Sequence, residues 1–353
     1  MIQEISISNR EDILYYLKTK SKKKIQNLFL EANALLEKYR DNKVHFRGLI
    51  EFSNTCEKNC LYCGLRRDLK IERYTMTKEE ILSAAKFCSD KGYGSLCIQS
   101  GEITTQKRLE FLVDVVSTIK KEYNLQMTLS FGEMPMKSLQ KLFDAGGRRY
   151  LLRIETSNEK LYEKLHPKDD KHKFETRVNT LKNLKSIGYQ VGTGIMIGLP
   201  YQTYDDLAND LLFFKKLDID MLGMGPYVPH PKTPLHVVKP RLKDAYALSI
   251  KMVALARLFL KDVNIAATTA LQVFDKKGRE KALLAGANIL MPIVTPTKLR
   301  KNYLIYPDKP CIEDTKEECF NCLNARLRSI DKVMGKDEFG DSTHFFNRIK
   351  INT

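Results

Sequence analysis

The stretch "HFRGLIEFSNTCEKNCLYCGL", residues 45–65, decides how the chain is read. Its first half, His45–Phe52, is a mostly apolar run of strand length. Its second half carries Cys56, Cys60 and Cys63 in the spacing C-x3-C-x2-C. A structural zinc site takes four ligands, usually as two pairs, and the nearest outside donor, His45, belongs to the far end of the predicted strand. A disulfide would leave one thiol over. Three thiolates in one short loop suit a cubane iron–sulfur cluster with one iron left open. An open iron can bind a substrate as well as pass electrons.

Outward from this stretch, short apolar runs alternate with amphipathic helical stretches. The runs are 45–52, 95–100, 126–131, 149–154, 190–198, 221–226, 263–269 and 287–292. Between them the spacing predicts helices over Thr77–Lys91, Gln106–Tyr123, Pro135–Ala145, Arg177–Ile187, Asp205–Lys216, Asp244–Phe259 and Arg279–Ala285. Thr203 with Asp206 three residues on gives one of these a capping-box start. Strand alternating with helix implies a parallel sheet. Eight strands suggest an α/β fold of the (β/α)8 barrel type over residues 45–300, with an N-terminal helical extension (1–44) and a C-terminal extension (301–353). The polar and glycine-rich residues follow the strands: "EFSNTC", "QSGE", "SFGE", "RIET", "IGLP", "GPY", "ATTA". In such a barrel that end carries the active site.

Bulk properties narrow the class. The chain has 353 residues and a formal charge of +16. Lysines are scattered and interleaved with acids, and no nucleic-acid-binding signature accompanies them, so a solvated basic surface is the expectation. No run reaches the ~20 apolar residues that span a bilayer. Met1–Ile5 lacks the pattern of a secretory leader, so a cytoplasmic protein is expected. Six of eight cysteines fall in two groups, Cys56/Cys60/Cys63 and Cys311/Cys319/Cys322, which favours metal over disulfides. Cys88 and Cys97 read as packing residues.

A C-x3-C-x-aromatic-C loop after the first strand, with Tyr62 as the aromatic, resembles the signature of radical S-adenosylmethionine (SAM) enzymes. "IEFSNTCEKNCLYCGLRRD", "IQSGE", "YLLRIET", "GIMIGLPYQT", "GPYVPHPKTPL", "NIAATTAL" and "YPDKPC" resemble the HydE-type maturases of [FeFe] hydrogenases, over about His45 to Cys322. The resemblance implies a [4Fe–4S] cluster on Cys56, Cys60 and Cys63, with SAM as co-substrate. It implies a second [2Fe–2S] or [4Fe–4S] cluster on Cys311, Cys319 and Cys322, whose spacing is C-x7-C-x2-C. It assigns Tyr62, Gly101, Glu102, Ser130, Glu155, Arg177 and Leu199 to SAM. Within that set Glu155 holds the ribose, Arg177 pairs with the carboxylate, and Gly198–Pro200 flank the adenine. It assigns Arg153, Thr268, Thr269, Tyr303 and Tyr306 to a substrate carboxylate and its cavity.

Adjacent Thr268 and Thr269 can both face one site only if the strand has ended before them or one uses its backbone N–H. One departure stands out: Ile154 occupies a position where the family often has histidine. The implied substrate is a small-molecule or organometallic, cysteine-derived complex supplied by the maturase HydG, the product passing on with the GTPase HydF, and an electron donor is required. Competing expectations are a lysine mutase like 3-methylornithine synthase and, in a different class, a non-catalytic iron–sulfur carrier. Biotin synthase fits less well, because only Cys97 lies on an inner strand.

Overall fold

A computed structural model describes residues 5–351. Met1–Glu4, most of the segment searched for a leader, and Asn352–Thr353 lie outside the described residues. Two helices open the chain, α1 (Arg10–Lys18) and α2 (Lys22–Arg40). Asn9 caps α1 by accepting from Asp12 N, while the Asp12 carboxylate accepts from Asn9 N in return. The apolar stripe of α2 buries Leu28, Ala32 and Leu36.

The alternating part follows as β1 (Lys43–Ser53), α3 (Lys78–Asp90), β2 (Ser95–Ser100), α4 (Gln106–Tyr123), β3 (Gln126–Ser130), α5 (Met136–Asp144) and β4 (Arg149–Leu151). It continues as α6 (Glu159–Leu165), α7 (Phe174–Ile187), β5 (Gln190–Thr193), β6 (Met196–Ile197), α8 (Tyr204–Leu217), β7 (Met221–Leu222), β8 (Gly225–Pro226) and α9 (Ala245–Leu260). The chain ends through β9 (Asn264–Ile265), α10 (Leu271–Phe274), α11 (Gly278–Leu284), β10 (Ile289–Leu290), α12 (Thr297–Arg300), α13 (Lys316–Arg328), β11 (Val333–Met334) and α14 (Thr343–Ile351). The predicted helices are present with ends shifted by a few residues. The expectation missed α6, which starts on an Asn158 cap, and began α7 a turn late. The Thr203/Asp206 capping box opens α8 as read. Cys88 and Cys97 are buried, the first in α3 and the second in β2.

The strands pair in parallel in the order β10-β1-β2-β3-β4-β5-β7-β9, and β6 pairs with β8 beyond breaks in β5 and β7. The two ends of this path meet at a single bridge, Ala266 to Ile289, with Ala267 N donating to Ile289 O at 2.9 Å. The expected closed barrel is thus corrected to a curled, partially open eight-stranded parallel sheet with a thin seam. Glycine breaks two of its later runs. Gly192, Gly194, Gly223 and Gly225 interrupt the runs at 190–198 and 221–226, where they offer no side chain to pack and weaken the ladder. At Gly194 an added Cβ would press onto the Gly223 carbonyl.

The N-terminal ends of the strands are covered by the chain's own C-terminal segment. β11 pairs with the start of β1, Lys43 opposite Val333. Beyond it, Arg149 donates to Asp341 Oδ1 at 2.6 Å, Gln190 Nε2 reaches the same oxygen at 2.6 Å, and Asn264 Nδ2 and Arg47 Nη2 donate to Gly340 O at 3.0 and 3.3 Å. Arg149, Gln190 and Asn264 each start a strand, and Arg47 lies on β1 level with the start of β2, so residues 335–342 form a floor under the sheet.

Candidate active site

The cysteine loop follows β1 and is fixed by polar side chains to which the cysteine spacing assigns no role. Arg73 donates to the carbonyls of Asn54, Leu65, Arg66 and Leu69 at 2.6 to 2.9 Å. His172, held by Asp169 at 2.6 Å, accepts from Asn59 N at 2.9 Å. Lys58, buried within the loop, donates to Glu133 at 2.8 Å. These contacts fix the loop's turns.

Cys56, Cys60 and Cys63 line one wall of a cavity of about 340 Å³. Two sulfurs already accept backbone N–H groups: Glu102 N points at Cys56 Sγ and Leu65 N at Cys63 Sγ, both at 3.4 Å. Such bonds stabilise thiolates and tune iron–sulfur clusters. Burial pushes all three thiols up, Cys63 to about 12, so a bound cation has to displace their protons. Among the described residues no three His, Cys, Asp or Glu side chains converge on a point that would hold one metal ion. A cubane does not ask for that, because each sulfur takes a different iron. The donor set, its N–H···S bonds and its cavity fit such a cluster.

Above the loop stands a charge network. Arg177, in the first turns of α7 and buried, donates to Glu102 at 3.1 Å and lies 2.6 Å from Glu133. Coulombic attraction to the network's cations holds the Glu102 carboxyl below its ordinary value against its burial. Two glycines make room. At Gly101 an added Cβ would press on the Thr55 carbonyl and come within 2.7 Å of Cys56 Cβ. Gly132 has φ +83 and stacks directly against the Glu102 side chain.

The remaining predicted residues divide. Tyr62, Gly101, Glu102, Ser130, Arg153, Glu155, Arg177, Thr268, Thr269, Tyr303 and Tyr306 all line the cavity. Leu199 does not. It is buried behind the wall in an apolar cluster with Tyr62, Met196 and Tyr227. Glu155 sits at φ +65, a left-handed conformation costing a non-glycine residue on the order of 1 kcal/mol. It pairs with Arg153 at 3.0 Å. Ile154 between them is buried in the main core and faces away from the cavity. β9 stops at Ile265, so Thr268 and Thr269 both reach the cavity, and Thr268 Oγ1 donates to Met224 O at 3.0 Å.

The second cysteine group lies outside this cavity. Cys319 and Cys322 are on α13, the first buried and the second exposed; Cys311, at φ +62, precedes the helix. The Cys311 and Cys319 thiols interact directly, which pulls Cys311 down to about 7, while Cys322 reaches Arg326. Two of the three are together and the third is one helical turn away. Buried Arg300 anchors the segment by donating to Cys311 O at 2.9 Å and to Thr295 O at 2.8 Å.

This cavity, its three-thiol loop at the strand ends and the curled parallel sheet define a class. The sequence profile of the Radical SAM superfamily matches residues 50–214, and the chain belongs to that superfamily and is a radical SAM enzyme. Membership carries the capacity for a [4Fe–4S] cluster and for reductive SAM cleavage to a 5′-deoxyadenosyl radical. Among named relatives, the chain is 45% identical over 314 residues to the [FeFe] hydrogenase maturase subunit HydE of Thermotoga maritima, covering 88% of this chain and 87% of that protein. It is 29% identical over 286 residues to the 3-methylornithine synthase of Methanosarcina acetivorans, covering 80% and 79%. The crystal structure of methylornithine synthase (PylB) superposes with a TM-score of 0.82 at 25% identity, covering 95% of this chain and 96% of that one. No helix among the described residues is long and apolar enough to cross a membrane.

Proposed function

We propose that this protein is a HydE-type maturase, which uses SAM-derived radical chemistry on a cysteine-derived organometallic substrate during assembly of the diiron site of [FeFe] hydrogenase. The observation that carries this reading is the 45% identity over 88% of the chain, against 29% for the 3-methylornithine synthase. The second cysteine group supports it.

In this reading Cys56, Cys60 and Cys63 hold the cluster and Cys311, Cys319 and Cys322 hold a second one. The bound cluster supplies the electron that splits SAM. The chain's own residues orient and shield. Arg177 presents a planar guanidinium to the SAM carboxylate, and Glu102 accepts from its amino group, so the zwitterion replaces part of the ion pair joining these two residues. Glu155, locked at a strained backbone position, accepts from the ribose hydroxyls, and Ser130 borders the methionine side. Tyr62, backed by Leu199, closes the apolar side against water. Arg153, Thr268 and Thr269 receive a substrate carboxylate; Tyr303 and Tyr306 cover it. HydG, HydF and an electron donor are the partners this role demands, in the cytoplasm.

The test is complementation under anaerobic conditions. A strain lacking its HydE should regain hydrogenase activity with this gene, and the reconstituted protein should release 5′-deoxyadenosine from SAM. Conversion of lysine to 3-methylornithine, without complementation, would replace this reading with the mutase. Absence of any 5′-deoxyadenosine would argue for an iron–sulfur carrier.

A further inference from the structure

One part of the cavity wall centres on Glu51, Gln99 and Lys309, to which the proposed roles assign nothing. Glu51, on β1, is buried (1% exposed) and lines the cavity. Its Oε1 is held by Lys309 Nζ at 2.5 Å, and Lys309 is equally buried. Its Oε2 has no partner among the described residues. Gln99, paired in register with Glu51 on β2, donates to Tyr303 OH at 3.0 Å, and both line the same cavity. Lys309 also donates to Tyr303 O at 3.2 Å. The wall therefore holds a carboxylate fixed at one oxygen and buried without a partner at the other.

Burying a carboxylate with one oxygen unsatisfied costs free energy that a ligand donor would return. Lys309 neutralises the charge, so the site does not demand a full cation. It demands N–H. The Arg153, Thr268 and Thr269 side of the same cavity presents donors and hydroxyls suited to a carboxylate. A ligand that satisfied both sides would carry a carboxylate at one end and an amino group at the other.

We propose that Glu51 is a specificity-determining residue that accepts a hydrogen bond from the amino group of an amino-acid-derived substrate, with Lys309, Gln99 and Tyr303 holding it in place. The inference rests on the reading of Arg153, Thr268 and Thr269 as the carboxylate subsite. It makes the pocket selective for the intact amino-acid skeleton over its deaminated analogue.

The probes are L-cysteine and 3-mercaptopropionate, titrated calorimetrically into the anaerobically reconstituted holoprotein with SAM present. The wild type should bind cysteine about tenfold or more tightly over the deaminated probe, the value of one charge-assisted hydrogen bond. Glu51→Gln should bring that ratio close to one by weakening cysteine alone. Gln99→Leu, which leaves the Glu51–Lys309 pair intact, should reduce the ratio by a smaller factor and serves where Glu51→Gln loads no cluster. A wild type blind to the amino group, with both probes lost in Arg153→Ala, overturns the Glu51 subsite and leaves the carboxylate reading standing. A ratio unchanged in both wall variants overturns it as well. If neither probe binds and Arg153→Ala changes nothing, the substrate reading itself falls and the subsite with it.

Discussion

Arg177 on α7 donates to Glu102 in the turn after β2 across 3.1 Å, joining two elements seventy-five residues apart in the sequence. The guanidinium lies 2.6 Å from Glu133 as well, so two carboxylates bracket it. Arg177→Ala should weaken SAM binding by roughly 30-fold, about 2 kcal/mol for a charge-assisted contact, with iron content unchanged. SAM titration at matched iron loading checks this. Equal affinity in the variant would remove Arg177 from the SAM site.

The two cysteine groups should respond differently to loss of one thiol. Cys60→Ala leaves two thiolates in the loop and should abolish 5′-deoxyadenosine formation. Cys319→Ala disrupts a group outside the cavity and should leave SAM cleavage within about twofold, as expected for a change away from the reacting atoms, while reducing total iron. Product assay and iron analysis on both variants separate the roles.

Gly101→Ala tests how tightly the loop is held against the turn after β2. The new methyl group has no free volume between the Thr55 carbonyl and Cys56 Cβ. It should displace Cys56 from its N–H···S bond with Glu102 and cut cluster incorporation several-fold. Full incorporation with normal visible absorbance would contradict the close approach.

Asp210 on α8 accepts from Ser157 N at 2.6 Å and thereby fixes the loop that follows Glu155. Burial pushes its carboxyl from 3.8 up to about 7, and its Oδ2 has no partner among the described residues. The folded state keeps a proton that the unfolded chain has released, so stability falls as pH rises from about 4 to 7 and levels off above that. The ceiling is on the order of 4 kcal/mol. Asp210→Asn should flatten this dependence in urea unfolding between pH 5 and 8. Parallel slopes for variant and wild type would mean that Asp210 is ionised in the fold.

Much of this was legible because chemistry and periodicity coincide. The cysteine spacing named the loop, and the turns after the strands named most of the cavity wall, since strand period and apolar composition place those turns at one end. What escaped the sequence depends on contacts between distant segments. Arg73 and His172 look like solvated polar residues until the loop folds onto them. Glu51 and Lys309, 258 positions apart, show no pattern that links them. Leu199 sits in a motif at the mouth yet packs one layer back, a difference of side-chain direction that a turn sequence does not encode. The thin seam between β9 and β10 follows from strands of two residues, too short for alternation to be read. Ile154 stands where the family often has histidine, yet it packs in the core between Arg153 and Glu155, which line the cavity.

The tail that lies across the strand beginnings plugs the lower end of the chamber, where Arg47 and Asn264 line it and donate to Gly340 O. Pruning the chain before Gly335 would strip that plug and let water in from beneath.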